Sequence, residues 1–386
     1  MLPDELRHPR QALGRAVRSA ETARVVSELD RRLTRYRRDR KLGAGTFRGM
    51  RVVVHRGYVV DDEVRVHLRV MEEPAMPDVG EDLALVAAAK QNARRFFALG
   101  MPQVEVVVTV EGVQTTVVTA RRGYAAGVLT VPGLTPGWHE VHAEVLPEDA
   151  DHDGAVGEGV VIVPEPTAPF SVISDIDDTI LRTGLTEGLT AFATTLLSDA
   201  NNRAAIPGMA SLYRGLARAG GTDAGCPSFF YVSTGSWSMY PVLTKFLQGR
   251  GFPRGPLFLT DWGPTDRYVT RSGAEHKRST IRRLLDGYPD QRFVCIGDSG
   301  QGDPDVYLET ARAFPGRIAA VLIIDVGAHL AERADELTQQ ALELQSDGLQ
   351  FHFVRDAYQA TGVCLDLGLC DAATVDEVET ELLASG

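Results

Sequence analysis

The hydrophobic period of this chain changes across VPEPTAPF, Val163–Phe170, and each side of that Pro-rich stretch admits only a narrow set of folds. Ahead of it, Val64, Val66, Leu68 and Val70 in EVRVHLRV alternate with polar neighbours, as do Val141, Ala143 and Val145 in WHEVHAEV. A period of two belongs to strands with one face on a core and one in water. With VEVVVTV, TTVVTA, GVLTV and GVVIV between Gly/Pro turns, the pattern predicts an antiparallel sandwich of roughly seven strands. Beyond the change, the apolar runs FSVISD, FFYVS, FVCIGD, AAVLIIDV and LQFHFV are nearly continuous and are separated by stretches of helical spacing. Strands apolar on both faces and joined by helices predict an α/β fold, a parallel doubly wound sheet.

A chain of 386 residues exceeds one ordinary core. The expected division is a basic helical segment at 1–42, a β-sandwich at 43–164 and an α/β domain at 165–386. In the first segment Leu13, Val17, Ala20, Val26, Leu29, Leu33 and Tyr36 recur at helical spacing among arginines. Residues 1–41 hold 12 basic against 6 acidic side chains while the whole chain carries −12, so the body is acidic. That excludes general nucleic-acid binding, which needs a basic stripe to release counterions. The helix itself reads either as a dock for an anionic membrane or as a solvated Arg face with its apolar stripe on the body.

EDLALVAAAKQNARRFFAL interrupts the strands as a predicted helix. DADHDG, Asp149–Gly154, begins like a calcium loop, but Val160 stands where the twelfth-position Glu belongs, and a polar hairpin is expected instead. His139 and His142 fall on opposite faces of a strand and cannot share a metal. Cys226, Cys295, Cys364 and Cys370 form no C-x-x-C pair and read as structural thiols of a reducing compartment. Without a long apolar run or the apolar stretch of a signal peptide, the expected location is cytoplasmic.

Polar residues end three of the apolar runs. ISDIDDT supplies Asp175 and Asp177, FFYVST supplies Ser233 and Thr234, and FVCIGDSGQGD supplies Asp298 with Asp303 behind it. In a doubly wound sheet such ends converge on one crevice. Carboxylates crowded there raise one another's pKa, and a hard divalent cation, most simply Mg²⁺, offsets them. Mg²⁺ keeps waters and takes few carboxylates plus a phosphate, which implies a phosphorylated substrate. Lys277, in the helical stretch GAEHKRSTIRRLL, adds a second cation for a phosphate dianion; taken alone, its neighbours Arg278, Arg282 and Arg283 read as a solvated face.

D-x-D-x-T, a strand-ending Ser or Thr, a Lys on a helix and G-D-x-x-x-x-D, in this order, resemble the four motifs of the haloacid dehalogenase superfamily of phosphohydrolases. More narrowly, SDIDDTI, NNRAAIPGMASLYRGL, YVSTGSWSMYP, and EHK followed by FVCIGDSGQGDPDVY resemble the actin-patch-protein type of Mg²⁺-dependent phosphatidate phosphatase. The resemblance spans residues 168 to about 365, and the preceding sandwich is similar to the one that family carries.

The resemblance implies that Asp175 is a nucleophile forming an aspartyl-phosphate and Asp177 a general acid and base. It implies that Thr179 braces the loop, Ser233 or Thr234 binds the phosphoryl oxygens, and Lys277 shields charge between nucleophile and phosphate. Asp298 and Asp303 would hold Mg²⁺ with Asp175 and the backbone carbonyl of Asp177, Asp303 either directly or from behind another ligand. A lipid phosphate is the implied substrate, with peripheral contact to an anionic membrane. The short helical insert Thr183–Ser228 argues against a large capping domain. A soluble phosphoester and a binding protein with a vestigial phosphatase domain are the competing readings.

Overall fold

The structure is a computed structural model that describes residues 49–73, 99–146, 154–182, 205–220, 225–260, 273–300, 302–326 and 333–385, with scattered positions ahead of 49. Nearly all of the expected basic helix at 1–42, of the helix in EDLALVAAAKQNARRFFAL and of DADHDG lies outside the described residues.

Strands β1 (Met50–Val54), β2 (Gly57–Val60), β3 (Glu63–Glu72), β4 (Glu105–Val110), β5 (Val113–Val118), β6 (Tyr124–Thr130), β7 (Gly137–Val145) and β8 (Ala155–Val163) form one eight-stranded sheet. Its path runs β1-β3-β2-β8-β7-β4-β5, with β6 paired to β3. The alternation holds: Val64, Val66, Leu68 and Val70 are buried with Val106, Val108, Val141, Ala143 and Val145 in one core. Each such Val or Leu side chain contributes about 1.5–3 kcal/mol by leaving water. Two features depart from the expected antiparallel sandwich. The strand β2, GYVV, is buried throughout and so shows no alternation, and it pairs with β8 in parallel, Gly57 opposite Val161. The ten residues of β3 also serve β1, β2 and β6 at once, so the strands form one continuous hydrogen-bonded path. Close approach of β8 to β1 requires Gly157, where a Cβ would meet Val52 O at 2.6 Å.

The second sheet is parallel throughout its pairs. It contains β9 (Ser171–Asp175), β10 (Phe229–Ser236), β11 (Leu257–Thr260), β12 (Phe293–Asp298), β13 (Ile318–Ile324) and β14 (Gln350–Val354), in the order β11-β10-β9-β12-β13-β14. Every residue of β9 and β12 is buried, as central strands covered on both faces must be. The helices are α1 (Met209–Ala217), α2 (Tyr240–Gly249), α3 (Gly273–Gly287), α4 (Asp303–Ala313), α5 (Ala334–Leu342), α6 (Ala357–Asp366) and α7 (Ala372–Ser385). Val172 and Val294 pack with residues of α1, α2, α6 and α7; Ile173 and Cys295 pack with those of α3, α4 and α5. Helices therefore cover both faces. The strand order reverses between β9 and β12, which opens a crevice at their carboxyl ends.

The two sheets share side-chain contacts. Tyr58, Val60 and Ile162 of the first join the apolar cluster of Phe230, Phe258 and Phe293 in the second. The Tyr288 hydroxyl donates to Val59 O at 2.8 Å, and the Arg254 guanidinium lies 4.6 Å from the Trp138 ring centroid.

Candidate active site

The crevice between β9 and β12 collects the acidic residues that end those strands. Asp175 is the last residue of β9 and Asp298 the last of β12, while Asp303 opens α4 behind the left-handed Gly302. One carboxylate oxygen from each of the three lies within 4.8 Å of the others, and all three side chains are buried. Asp303 Oδ2 accepts the Asp298 N–H at 3.2 Å, and Gly297 makes room for it: a Cβ there would stand 2.4 Å from that oxygen.

Lys277 is the fifth residue of α3, on the buried stripe with Thr280, Ile281, Leu284 and Leu285, while Arg282 and Arg283 face solvent. The solvated-face reading of Lys277 is thereby removed, because helical spacing turns this position inward. Its Nζ lies 2.7 Å from Asp175 Oδ1 and 2.5 Å from Asp303 Oδ1. Burial works against the lysine charge, yet the two carboxylates outweigh it and hold its pKa above the ordinary lysine value.

Asp177 lies beyond the triad. Its Oδ2 accepts the Ser233 hydroxyl at 2.7 Å, and burial raises its pKa against that hydrogen bond. Ser233 in turn accepts the Gly235 N–H at 2.9 Å. The segment Ser233–Gly235 bulges from the ladder, because β10 pairs with β11 at Val232 and regains it only at Ser236 opposite Thr260. Thr260 closes this bulge by donating its hydroxyl to Thr234 O at 2.7 Å. Of the two candidates for phosphate contact, Ser233 is thus the one hydrogen-bonded to Asp177. Thr179 is fully buried, and its Oγ1 makes no hydrogen bond among the described residues. Between them Asp178 adopts φ +56°, a left-handed conformation that Asp tolerates and that turns the chain back on itself.

Thr260 was not legible as a site residue. It ends an apolar run in the same way as Asp175 and Asp298, but LFLT is only four residues long, too short to separate from a loop.

The donor set suits a hard cation. Burial pushes Asp175 well above the ordinary carboxyl value, with Asp303 and Asp177 adding to the rise and Lys277 opposing it. Asp175 Oδ2 is buried without a hydrogen-bond partner among the described residues, and Asp298 is raised to about 6 by burial and then by Asp303. A single lysine leaves negative charge in excess, and a divalent ion with oxygen ligands fits both the charge and the orphaned oxygen.

Residues 170–325 match the family model described as the catalytic domain of phosphatidate phosphatase APP1, and every site residue named above lies within them. Phosphatidate phosphatase APP1 of Saccharomyces cerevisiae is 31% identical over 194 residues, 47% of this chain and 32% of that protein. An uncharacterized protein of Schizosaccharomyces pombe is 31% identical over 158 residues, 41% of this chain and 25% of that protein. The chain therefore spans about a third or less of the curated relatives it matches. Among solved structures, a carbohydrate acetylesterase from Xanthomonas citri aligns at a TM-score of 0.29 and 12% identity, over 84% of this chain and 71% of that one, too low to bear on the fold. The Asp175, Asp298 and Lys277 constellation thus sits inside residues 170–325, the stretch that resembles the catalytic domain of phosphatidate phosphatase APP1.

Proposed function

We propose that the protein is a Mg²⁺-dependent phosphatidate phosphatase of haloacid-dehalogenase type that works through an aspartyl-phosphate on Asp175. The observation that carries this reading is the buried triad of Asp175, Asp298 and Asp303, bridged by Lys277 where the strand order reverses. The family match supplies the substrate class, a lipid phosphomonoester.

In this reading an Asp175 carboxylate oxygen attacks phosphorus and the bond from phosphorus to the lipid oxygen breaks. Asp177, whose pKa burial raises, gives its proton to the departing alkoxide. Asp177 then takes a proton from water, which attacks the same phosphorus, breaks the acyl-phosphate bond and returns Asp175 as a carboxylate. Ser233 and the amide of Gly235 orient the phosphoryl oxygens, with Thr234 at the mouth of the bulge, and Thr179 braces the loop. Lys277 opposes the burial that raises the Asp175 pKa and faces the charge that spreads over the phosphoryl group. Asp175, Asp298, Asp303 and the carbonyl of Asp177 would hold Mg²⁺, which would supply Lewis acidity to that group.

The division at 42 and 164, a cytoplasmic location and peripheral contact of the basic residues 1–42 with anionic membrane complete the proposal. The test is phosphate release by the purified protein from phosphatidate in vesicles and from p-nitrophenyl phosphate, with Mg²⁺ and with excess chelator. Release from phosphatidate that chelation abolishes supports the reading; release only from the soluble ester, or full activity in chelator, contradicts it.

A further inference from the structure

The bulge of β10 is paired to its own sheet on both sides, at Val232 and at Ser236, and its exit is held by the eight-stranded sheet as well. On the sheet side, Thr260 donates to Thr234 O and to Gly235 O at 2.7 and 3.1 Å. On the far side the chain enters a short 3₁₀ turn, Trp237–Met239, capped by Ser236, whose Oγ accepts the Ser238 N–H at 3.3 Å. The Trp237 side chain of that turn lies against the eight-stranded sheet. The Trp237 ring stacks on His55 at 4.7 Å, with the planes 4° apart, and on His67 at 5.3 Å, with the planes 17° apart.

His55 N donates to His67 O at 2.8 Å, so both imidazoles stand on one rigid ladder between β1 and β3. His55 is almost fully buried, 2% exposed, and its ring lies 4.1 Å from that of Tyr240. The Tyr240 hydroxyl accepts the Arg56 N–H at 2.7 Å, so a backbone group of the first sheet also pins the start of α2. A stacked aromatic face and a direct hydrogen bond, four and seven residues beyond Ser233, thus add contacts from the eight-stranded sheet to those that Met239 and Tyr240 make in the α/β core.

We infer that the eight-stranded sheet is a working part of the catalytic site, buttressing the phosphate-binding bulge Ser233–Gly235 through Trp237, which is a positioning residue. This rests on the proposed phosphatase reading and assigns the first sheet a role in catalysis instead of in recruitment alone. Trp237 touches no reacting atom. It sets where the Ser233 hydroxyl and the Gly235 amide stand relative to Asp177, and misplacement of such donors by about 1 Å costs on the order of a hundredfold in rate.

The test uses the full chain with p-nitrophenyl phosphate, a substrate too small to need a docking surface. Trp237→Ala should lower kcat by about tenfold or more, whereas Trp237→Phe, which keeps a stacking face for His55 and His67, should recover most of it. Tyr288→Phe is the control: it breaks the hydrogen bond to Val59, at another point of the same interface, and should lower Tm while leaving kcat within about twofold. If Trp237→Ala does not fold, His67→Ala, at an exposed position, removes one imidazole and should lower kcat by about two- to fivefold.

A Trp237→Ala protein that melts like the native one with kcat within twofold would overturn the inference, as would equal losses in Trp237→Ala and Tyr288→Phe. If only His67→Ala can be measured, an unchanged kcat overturns it likewise. Absence of hydrolysis by the native protein would instead bring down the phosphatase reading, and the inference with it.

Discussion

Lys277 Nζ stands 2.7 Å from Asp175 Oδ1 with both side chains excluded from water. The same ammonium meets Asp303, so one cation serves two of the three crowded carboxylates. Removing one partner of a buried ion pair costs about 3–5 kcal/mol because the remaining charge has nothing to offset it. Lys277→Met should therefore melt several degrees lower in chelator and lose nearly all turnover. A Tm within a degree or so of the native protein would contradict the pairing.

Asp298 links stability to pH. Its folded-state pKa of about 6 lies above the unfolded value, so the folded protein holds that proton more tightly. The resulting stability is fully present below about pH 4 and is lost as pH rises through about 6. In chelator, Asp298→Asn should be more stable than the native protein at pH 7.5 and close to it at pH 4, and Mg²⁺ at pH 7.5 should reverse the order. Melting curves at the two pH values decide this; the same difference at both would contradict it.

Gly297 tests the packing of the triad. A Cβ at this position would sit 2.4 Å from Asp303 Oδ2, so Gly297→Ala must displace the carboxylate that Lys277 and the Asp298 amide hold. Overpacking of this kind costs about 1–3 kcal/mol. Activity should fall by more than about tenfold, and the affinity for Mg²⁺ read by calorimetry should fall with it.

The site was more legible than the scaffold. Asp175, Asp177, Ser233, Asp298 and Asp303 could be read because each follows an apolar run that burial on both faces enforces, and Lys277 because its helix precedes the last of those runs. β11 escaped because LFLT is four residues long, and β2 because GYVV, buried throughout, shows no alternation. The stacking of Trp237 on His55 and His67 joins positions some 170 or more residues apart, and no local period records such a contact.

A stability prediction lies away from the site. Glu381 of α7 accepts the N–H groups of Gly208 and Ser211 at 3.1 and 3.0 Å, satisfying the open N-terminus of α1 from another helix. Glu381→Ala should cost about 1–3 kcal/mol, measured by denaturant unfolding, with kcat unchanged. A loss below about 0.5 kcal/mol would mean that water replaces the carboxylate without cost.

The covalent role of Asp175 is the centre of this account, and Asp175→Asn tests it most directly, since the amide keeps the shape but cannot attack phosphorus. Phosphate release from phosphatidate vesicles in Mg²⁺ should fall by about a thousandfold or more relative to the native protein, in a variant shown to be folded by its melting curve. Turnover by folded Asp175→Asn within about tenfold of native would contradict an aspartyl-phosphate at this residue.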